Sequence, residues 1–276
     1  MDGILLIHKE AGMTSHDVVA RLRRILHTKK IGHSGTLDPD ATGVLMVLVG
    51  RACKLLPYLE DTDKEYVATM ELGKRTLSDD TSGEVLETAP VHKIENLQGV
   101  LNTFQGKQKQ LPPMVSSIRV NGRKLYEYAR AHEEVERPLR DVEFYELEVL
   151  DADALKFRVA CSSGTYIRSL CVDVACKTGN LGCMSSLVRT GVGRFKLEDC
   201  VSLADVEKGN FQLHGMKEVL HHLPMVEYEP ILDVYHGKRI RLETDENRVV
   251  LMDEEEPIAI YEREHHNVFR SMRGLW

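Results

Sequence analysis

The stretch KIGHSGTLDPDATGVLMVLVG, Lys30 to Gly50, sets a loop of turn formers directly ahead of an uninterrupted apolar run. Gly32, Gly35, Pro39 and Gly43, with several short polar residues, keep Lys29 to Gly43 out of long regular structure. Val44 to Val49, bounded by Gly43 and Gly50, reads as a buried strand, so the loop is anchored rather than free. Asp38 precedes Pro39, which pushes its backbone to an extended conformation and stiffens the following turn. A carboxylate held stiffly beside a buried strand suits a nucleophile, although the dipeptide alone describes an ordinary turn initiator. A phosphate cradle is disfavoured: the Gly-Lys-Ser/Thr ending of a P-loop is absent and no predicted helix starts at the loop.

Upstream, Thr14 and Ser15 can cap a helix whose apolar stripe is Val18, Val19, Leu22, Ile25 and Leu26, with Arg21, Arg23 and Arg24 largely turned away from it. Downstream, Tyr66, Ala68, Met70 and Leu72 alternate with Val67, Thr69 and Glu71, a strand leaving the acidic corner Asp61 to Lys64. Polar Ser78 to Gly83 turns the chain back into Glu84 to Leu86, which suggests an antiparallel hairpin. Leu97, Val100, Leu101 and Phe104 have helical spacing, and Asn121-Gly122 marks a turn before a helix through Tyr126 and Tyr128. Val142 to Val149 and Leu155 to Cys161 read as two antiparallel strands joined at Asp151 to Asp153. Tyr166 to Arg168 reads as an extended segment ahead of a helix of Leu170, Val174 and Ala175 that stops near Gly179.

Strands and helices therefore mix without a βαβ rhythm, and the fold class expected is α+β, with a mixed, largely antiparallel central sheet and flanking helices. Beyond Pro224, Ile231 to Val234, Arg239 to Leu242, Val249 to Leu251 and Ile258 to Tyr261 are short strand-like runs between charged turns. They predict a small β-rich module at residues 225–276 behind a catalytic-sized domain at 1–224.

Composition limits the function classes. The 276 residues, 42% hydrophobic and 29% charged, suit an ordinary globular protein with more than one core. No run approaches the roughly 20 apolar residues of a membrane span, and MDGILLIHKE lacks the order of a signal peptide. A cytoplasmic protein that does not engage membranes is expected. Cys53, Cys161, Cys171, Cys176, Cys183 and Cys200 form no CxxC pair and no zinc spacing, so reduced thiols and no metal site are expected. The formal charge of -7 argues against coating nucleic acid by bulk attraction. Yet Arg21 to Lys54 holds seven Lys/Arg against Asp38 and Asp40, and Lys107 to Arg140 holds eight against four Glu. One face can thus hold a polyanion, while two solvated helical faces describe the same charges.

The segment KIGHSGTLDPDATGVL resembles the motif GHxGTLDPxATGVL of the bacterial tRNA pseudouridine-55 synthases, the TruB family. Further stretches agree in the family's order: Lys64-Glu65-Tyr66, Asp80-Thr81-Ser82-Gly83, Gln110-Leu111-Pro112-Pro113 and Asn121 to Arg130. Ser163-Gly164-Thr165-Tyr166-Ile167-Arg168 and Leu187-Val188-Arg189-Thr190 follow, so the likeness spans roughly residues 3 to 200. Two positions depart from the pattern. Glu10 stands where the family's Lys-Pro-x-Gly-x-Thr-Ser has proline, which leaves local stiffness in question, and Val115 stands where tyrosine is common.

The resemblance implies isomerisation of uridine 55 in the tRNA T-loop, without a cofactor, by a protein expected to be monomeric. Asp38 becomes the essential carboxylate, either as a nucleophile or by handling a ribose proton. Tyr66 matches the tyrosine that stacks on the extruded uracil and is available to assist loss of the C5 proton; by spacing alone it ends a half-buried strand. Arg168, read as projecting to the same side as Tyr166, is expected to pair with Asp38 and keep it ionised. Tyr166 lines the same pocket. Leu187 matches an apolar residue against the base, and a core leucine describes it equally well. His33 matches a histidine that contacts the T-loop. Arg23, Arg24, Lys29, Lys30, Arg123 and Lys124 are expected on RNA phosphates. The C-terminal module resembles a reduced PUA-type RNA-binding domain. A reading of another class is a non-catalytic tRNA-binding or folding module on the same scaffold.

Overall fold

The computed structural model describes residues 1–59 and 63–276. Of the expected acidic corner, Asp61 lies outside the described residues. Along the chain run β1 (Gly3–Lys9), α1 (Ser15–Ile25), β2 (Ile31–His33), β3 (Thr42–Val49), a 3-10 segment (Gly50–Tyr58), β4 (Lys64–Leu72), β5 (Lys74–Thr76), β6 (Val85–Thr88), α2 (Leu97–Asn102) and β7 (Gly106–Gln110). Next come β8 (Arg119–Val120), β9 (Arg123–Lys124), α3 (Leu125–Ala131), β10 (Arg140–Asp151), β11 (Lys156–Cys161), α4 (Ile167–Lys177), β12 (Gly182–Val192) and β13 (Phe195–Lys196). The last part holds α5 (Leu203–Glu207), α6 (Met216–Val219), β14 (Met225–Glu227), α7 (Ile231–Tyr235), β15 (Ile240–Arg241), β16 (Arg248–Asp253), β17 (Glu256–His265) and β18 (Val268–Gly274). The class is α+β, as the sequence predicts.

The chain divides into two compact units. The first holds Met1–Pro39, the stretch from Val44 through the 3-10 segment, and Lys196–Trp276; the second holds Asp40–Gly43 and the chain from Asp63 to Phe195. The division does not fall at residue 224, because the last third of the chain packs in the same unit as the first helix. In that unit β2 pairs antiparallel with β3, and β1 bridges Ile4 to His214 and Ile7 to Val201. Leu5, Ile7, Val18, Val19, Leu22, Val47, Leu203 and Val206 close one core. The stripe predicted for α1 is the buried one, and the helix starts where Thr14 and Asp17 exchange hydrogen bonds, each satisfying the other's backbone N–H.

The same unit carries a five-stranded sheet in the order β14-β16-β17-β18-β15, with its own core of Val234, Ile240, Val249, Leu251, Tyr261 and Phe269. This is the β-rich, PUA-like module. One of its expected strands is different: Ile231–Tyr235 is a helical turn capped by Pro230. Four apolar residues are too few to distinguish a period of 2 from one of 3.6.

In the second unit the sheet runs β12-β4-β11-β10-β7, every pair antiparallel. Thr42 and Gly43 add to it in parallel, opposite Val188 and Arg189. Gly43 has φ +108, and a Cβ there would lie 2.1 Å from the Arg189 carbonyl oxygen, so no other residue fits this approach. β4 buries Tyr66, Ala68 and Met70 on the face the alternation predicts. The hairpin at Ser78 to Gly83 forms between β5 and β6 rather than with the Tyr66 strand. Helix α4 packs on β12 through Leu170, Cys171, Val174 and Ala175, all fully buried. Tyr166 to Arg168 is not extended. Tyr166 is the N-cap of α4 at φ -103, ψ 111, and Arg168 is the second helical residue. The same-side argument for Tyr166 and Arg168 therefore does not apply, since successive helical residues turn by about 100°.

Candidate active site

Asp38 lies in the first unit, half-buried, in the loop between β2 and β3. The backbone on each side of it is pinned. The Leu37 N–H donates to Ser15 Oγ at 2.9 Å, and that hydroxyl donates back to the Leu37 carbonyl at 3.2 Å. Both residues are buried. On the other side the Pro39 carbonyl accepts from Lys9 Nζ at 2.9 Å and from the Gly12 N–H at 3.1 Å. Lys9 is fully buried and also donates to the Glu10 carbonyl at 2.8 Å. Local stiffness thus does not depend on proline at position 10. Lys9, Gly12 and Ser15 of the same segment supply it by hydrogen bonds, and Ser15 opens a well-capped helix.

The other loop residues have mixed placements. His33 ends β2 opposite Val47 of β3, half-buried. Arg23 is not simply turned outward: its Nη2 donates to the Ile31 carbonyl at 2.9 Å, which braces β2. Arg24, Lys29 and Lys30 are exposed.

Tyr66, Tyr166, Arg168 and Leu187 lie in the second unit, as do Arg123 and Lys124. Tyr66 is 6% exposed, with Val159 of β11 and Arg189 of β12 as its register neighbours. Leu187 faces Ala68, so it is one step along the same face as Tyr66. Sequence order alone could not bring this pair together; the β4–β12 register does. Tyr166 is held by a single buried side chain, Gln110. Gln110 Oε1 accepts from the Tyr166 N–H at 2.8 Å and its Nε2 donates to the Tyr166 carbonyl at 2.9 Å.

Arg168, 5% exposed, is not a surface residue. Its Nη1 donates to the Ser78 carbonyl at 2.7 Å, its Nη2 to the Val115 carbonyl at 3.1 Å, and Asp80 Oδ2 lies 3.7 Å away. Asp80 is itself fixed, accepting from Ser78 Oγ at 2.7 Å and from the Ser82 N–H at 3.1 Å. Burial raises the neighbouring Asp79 carboxyl above its ordinary range despite the pull of Arg168. The loop Ser78 to Gly83 thus aims the arginine, a role its sequence did not disclose.

Arg123 and Lys124 sit on β9. Arg123 pairs with Glu133 at 2.7 Å and covers the Tyr128 ring at 4.3 Å, while Lys124 lies 5.4 Å from the centre of the Tyr126 ring. Sequence reasoning missed Lys9, Ser15, Ser78 and Asp80 as supports, although all stand in or beside quoted motifs. Gln110, in a polar strand, carried no signal beyond its place before Leu111-Pro112-Pro113.

The first unit thus carries a stiffly mounted carboxylate, and the second a buried arginine and a tyrosine–leucine face. Residues 23–167 match the family model described as TruB family pseudouridylate synthase, N-terminal domain. The tRNA pseudouridine synthase B of Oceanobacillus iheyensis is 41% identical over 281 residues, covering 95% of this chain and 93% of that protein. The enzyme of the same name from Bacillus subtilis is 44% identical over 240 residues, covering 81% and 78%. Among solved structures, a Cbf5-Nop10-Gar1 complex superposes with a TM-score of 0.73 at 26% identity, covering 99% of this chain and 85% of that one. The chain belongs to the TruB family of pseudouridylate synthases and is an isomerase.

Proposed function

We propose that this enzyme converts uridine 55 of the tRNA T-loop to pseudouridine, with Asp38 as its essential carboxylate. The single observation that carries the reading is the double pin on Leu37 and Pro39, which mounts Asp38 between two fixed points. The names of the bacterial relatives support tRNA as the substrate.

The reaction breaks the bond between ribose C1′ and uracil N1, turns the base, joins C5 to C1′, loses the C5 proton and gains one at N1, so that the product is an isomer of the substrate. Asp38 opens it either by attacking C1′ or by taking a ribose proton. Stiff mounting favours both routes, because a group already aimed loses little freedom on reaching the transition state. Arg168, its guanidinium oriented by the Ser78 and Val115 carbonyls, is the site's arginine and supplies a fixed positive charge to the same reaction. The uracil, drawn from the stack, rests on Tyr66 with Leu187 beside it, and Tyr166 lines the pocket. His33 contacts the T-loop, and Arg24, Lys29, Lys30, Arg123 and Lys124 meet phosphates. We read the enzyme as a monomer acting in the cytoplasm.

Asp38→Asn tests the assignment on a T-arm oligonucleotide. Pseudouridine formation should vanish while binding stays within a few-fold. Full activity would remove Asp38 from the chemistry, and an inactive unaltered protein that still binds would favour the non-catalytic reading.

A further inference from the structure

Lys64 stands two residues before Tyr66 on β4, so both side chains project from the same face of the sheet. Arg189, fully buried, is the residue directly opposite Tyr66 on β12 and shares that face. Tyr66 thus has a cation as its neighbour along the strand and another across it. Lys64 is held: its Nζ donates to Ser163 Oγ at 3.0 Å, in the loop that leads to Tyr166 and Arg168. Its register partners are Cys161 of β11 and Val192 of β12.

We propose that Lys64 is a positioning residue for the isomerisation: its ammonium, fixed by Ser163, joins Arg189 in holding a positive field over the Tyr66 face. The inference rests on the uridine reading above and deepens it. When the C1′–N1 bond breaks, its electron pair goes to the uracil, and negative charge spreads over that ring and its O2 and O4. A preorganised positive field lowers the energy of that state more than that of the neutral nucleotide. The requirement is the same whichever route Asp38 takes.

The charged state of Lys64 is poised. Burial pushes its ammonium down to about 8, Arg189 adds to the shift, and Cys161 and Asp63 oppose it. Of those two, Cys161 is itself pushed up to about 12 by burial and stays a neutral thiol at pH 8. Opposition to the shift therefore falls to the Asp63 carboxylate. Tyr145 of β10 hydrogen-bonds that carboxylate, and its phenol is likewise raised to about 12.

The test is single-turnover pseudouridine formation across pH 6 to 10 with the unaltered enzyme, Lys64→Arg and Lys64→Met. The unaltered rate should fall as pH passes about 8. Lys64→Arg should keep the rate within about threefold and lose that alkaline fall, because a guanidinium stays charged throughout. Lys64→Met should be slower by about tenfold or more at pH 7, with tRNA affinity changed by less than threefold. Loss of the N3 proton from the uridine is common to all three proteins, so the shift between them is what counts. An alkaline limb unchanged in Lys64→Arg would overturn the proposal even if Lys64→Met fails to fold, as would a Lys64→Met enzyme at full rate. Asp38→Asn run alongside separates the two readings: if it is active, the assignment of the carboxylate fails, whereas the Lys64 proposal fails only on its own pH profile.

Discussion

Ser15→Ala removes one oxygen that serves both the N–H and the carbonyl of Leu37, at 2.9 and 3.2 Å. The N–H is left inside the protein without its acceptor, which costs about 1–3 kcal/mol, and the second bond contributes about 0.5–1.5 kcal/mol. A loss of about 2–3 kcal/mol is expected. With a urea slope of roughly 1–3 kcal/mol per molar, the unfolding midpoint should drop by about 1 M if the loop opens with the whole unit. Catalysis should suffer as well, since Leu37 is the residue next to Asp38. If half of the loss appears as a loosened loop in the bound state, the single-turnover rate falls by about tenfold, with tRNA affinity nearly unchanged. Thr14→Ala is the control: it removes the helix cap, worth about 1 kcal/mol, but leaves the Leu37 pin intact. A Ser15→Ala enzyme that matches Thr14→Ala in both stability and rate would refute the idea that Asp38 is aimed through its neighbour's backbone.

Gly43→Ala should be severe, because φ +108 and a Cβ 2.1 Å from the Arg189 oxygen leave it no room. A loss of about 3 kcal/mol or more, read by thermal or urea unfolding, is expected. Gln110→Ala should leave the Tyr166 N–H without its acceptor and its carbonyl reliant on the Leu170 N–H, lowering stability by about 2 kcal/mol and slowing single turnover; unchanged values would mean water replaces the amide at no cost. Arg24→Glu combined with Lys29→Glu should lower the salt dependence of tRNA binding by about one logarithmic unit of slope for every phosphate no longer neutralised. Filter binding over a potassium chloride series checks this, and an unaltered slope takes these residues out of the footprint.

Much of the fold is readable where a period or a cap is long enough to register. Thr14 and Ser15 as capping residues, and the stripe from Val18 to Leu22, define α1 from the sequence; the reciprocal bond with Asp17 appears only in the structure. The alternation from Tyr66 to Met70 likewise names the buried face of β4. Short or polar elements are not readable, for physical reasons. Ile231–Tyr235 has one turn's worth of apolar residues, and the polar strand Gly106–Gln110 is the last of its sheet, so it needs little apolar surface. The site residues are legible as a motif but not as a construction. No spacing rule pairs Leu37 with Ser15, or Tyr166 with Gln110, because those hydrogen bonds join segments 22 and 56 residues apart. The helical start at Tyr166 to Arg168 is hidden in a similar way: Gly164-Thr165 offers no clear cap, and the Gln110 amide that holds the N-cap backbone comes from a distant strand.

The interleaving of the first unit dictates an order of assembly on the ribosome. β1 meets Val201 and His214, and α1 shares its core with Leu203 and Val206. At ordinary translation rates the amino-terminal strand and helix therefore wait about 10–40 s for these late partners to emerge. Meanwhile the chain up to Phe195 has everything the second unit requires. A polypeptide cut short before Lys196 is consequently unfinished at its beginning, not only at its end.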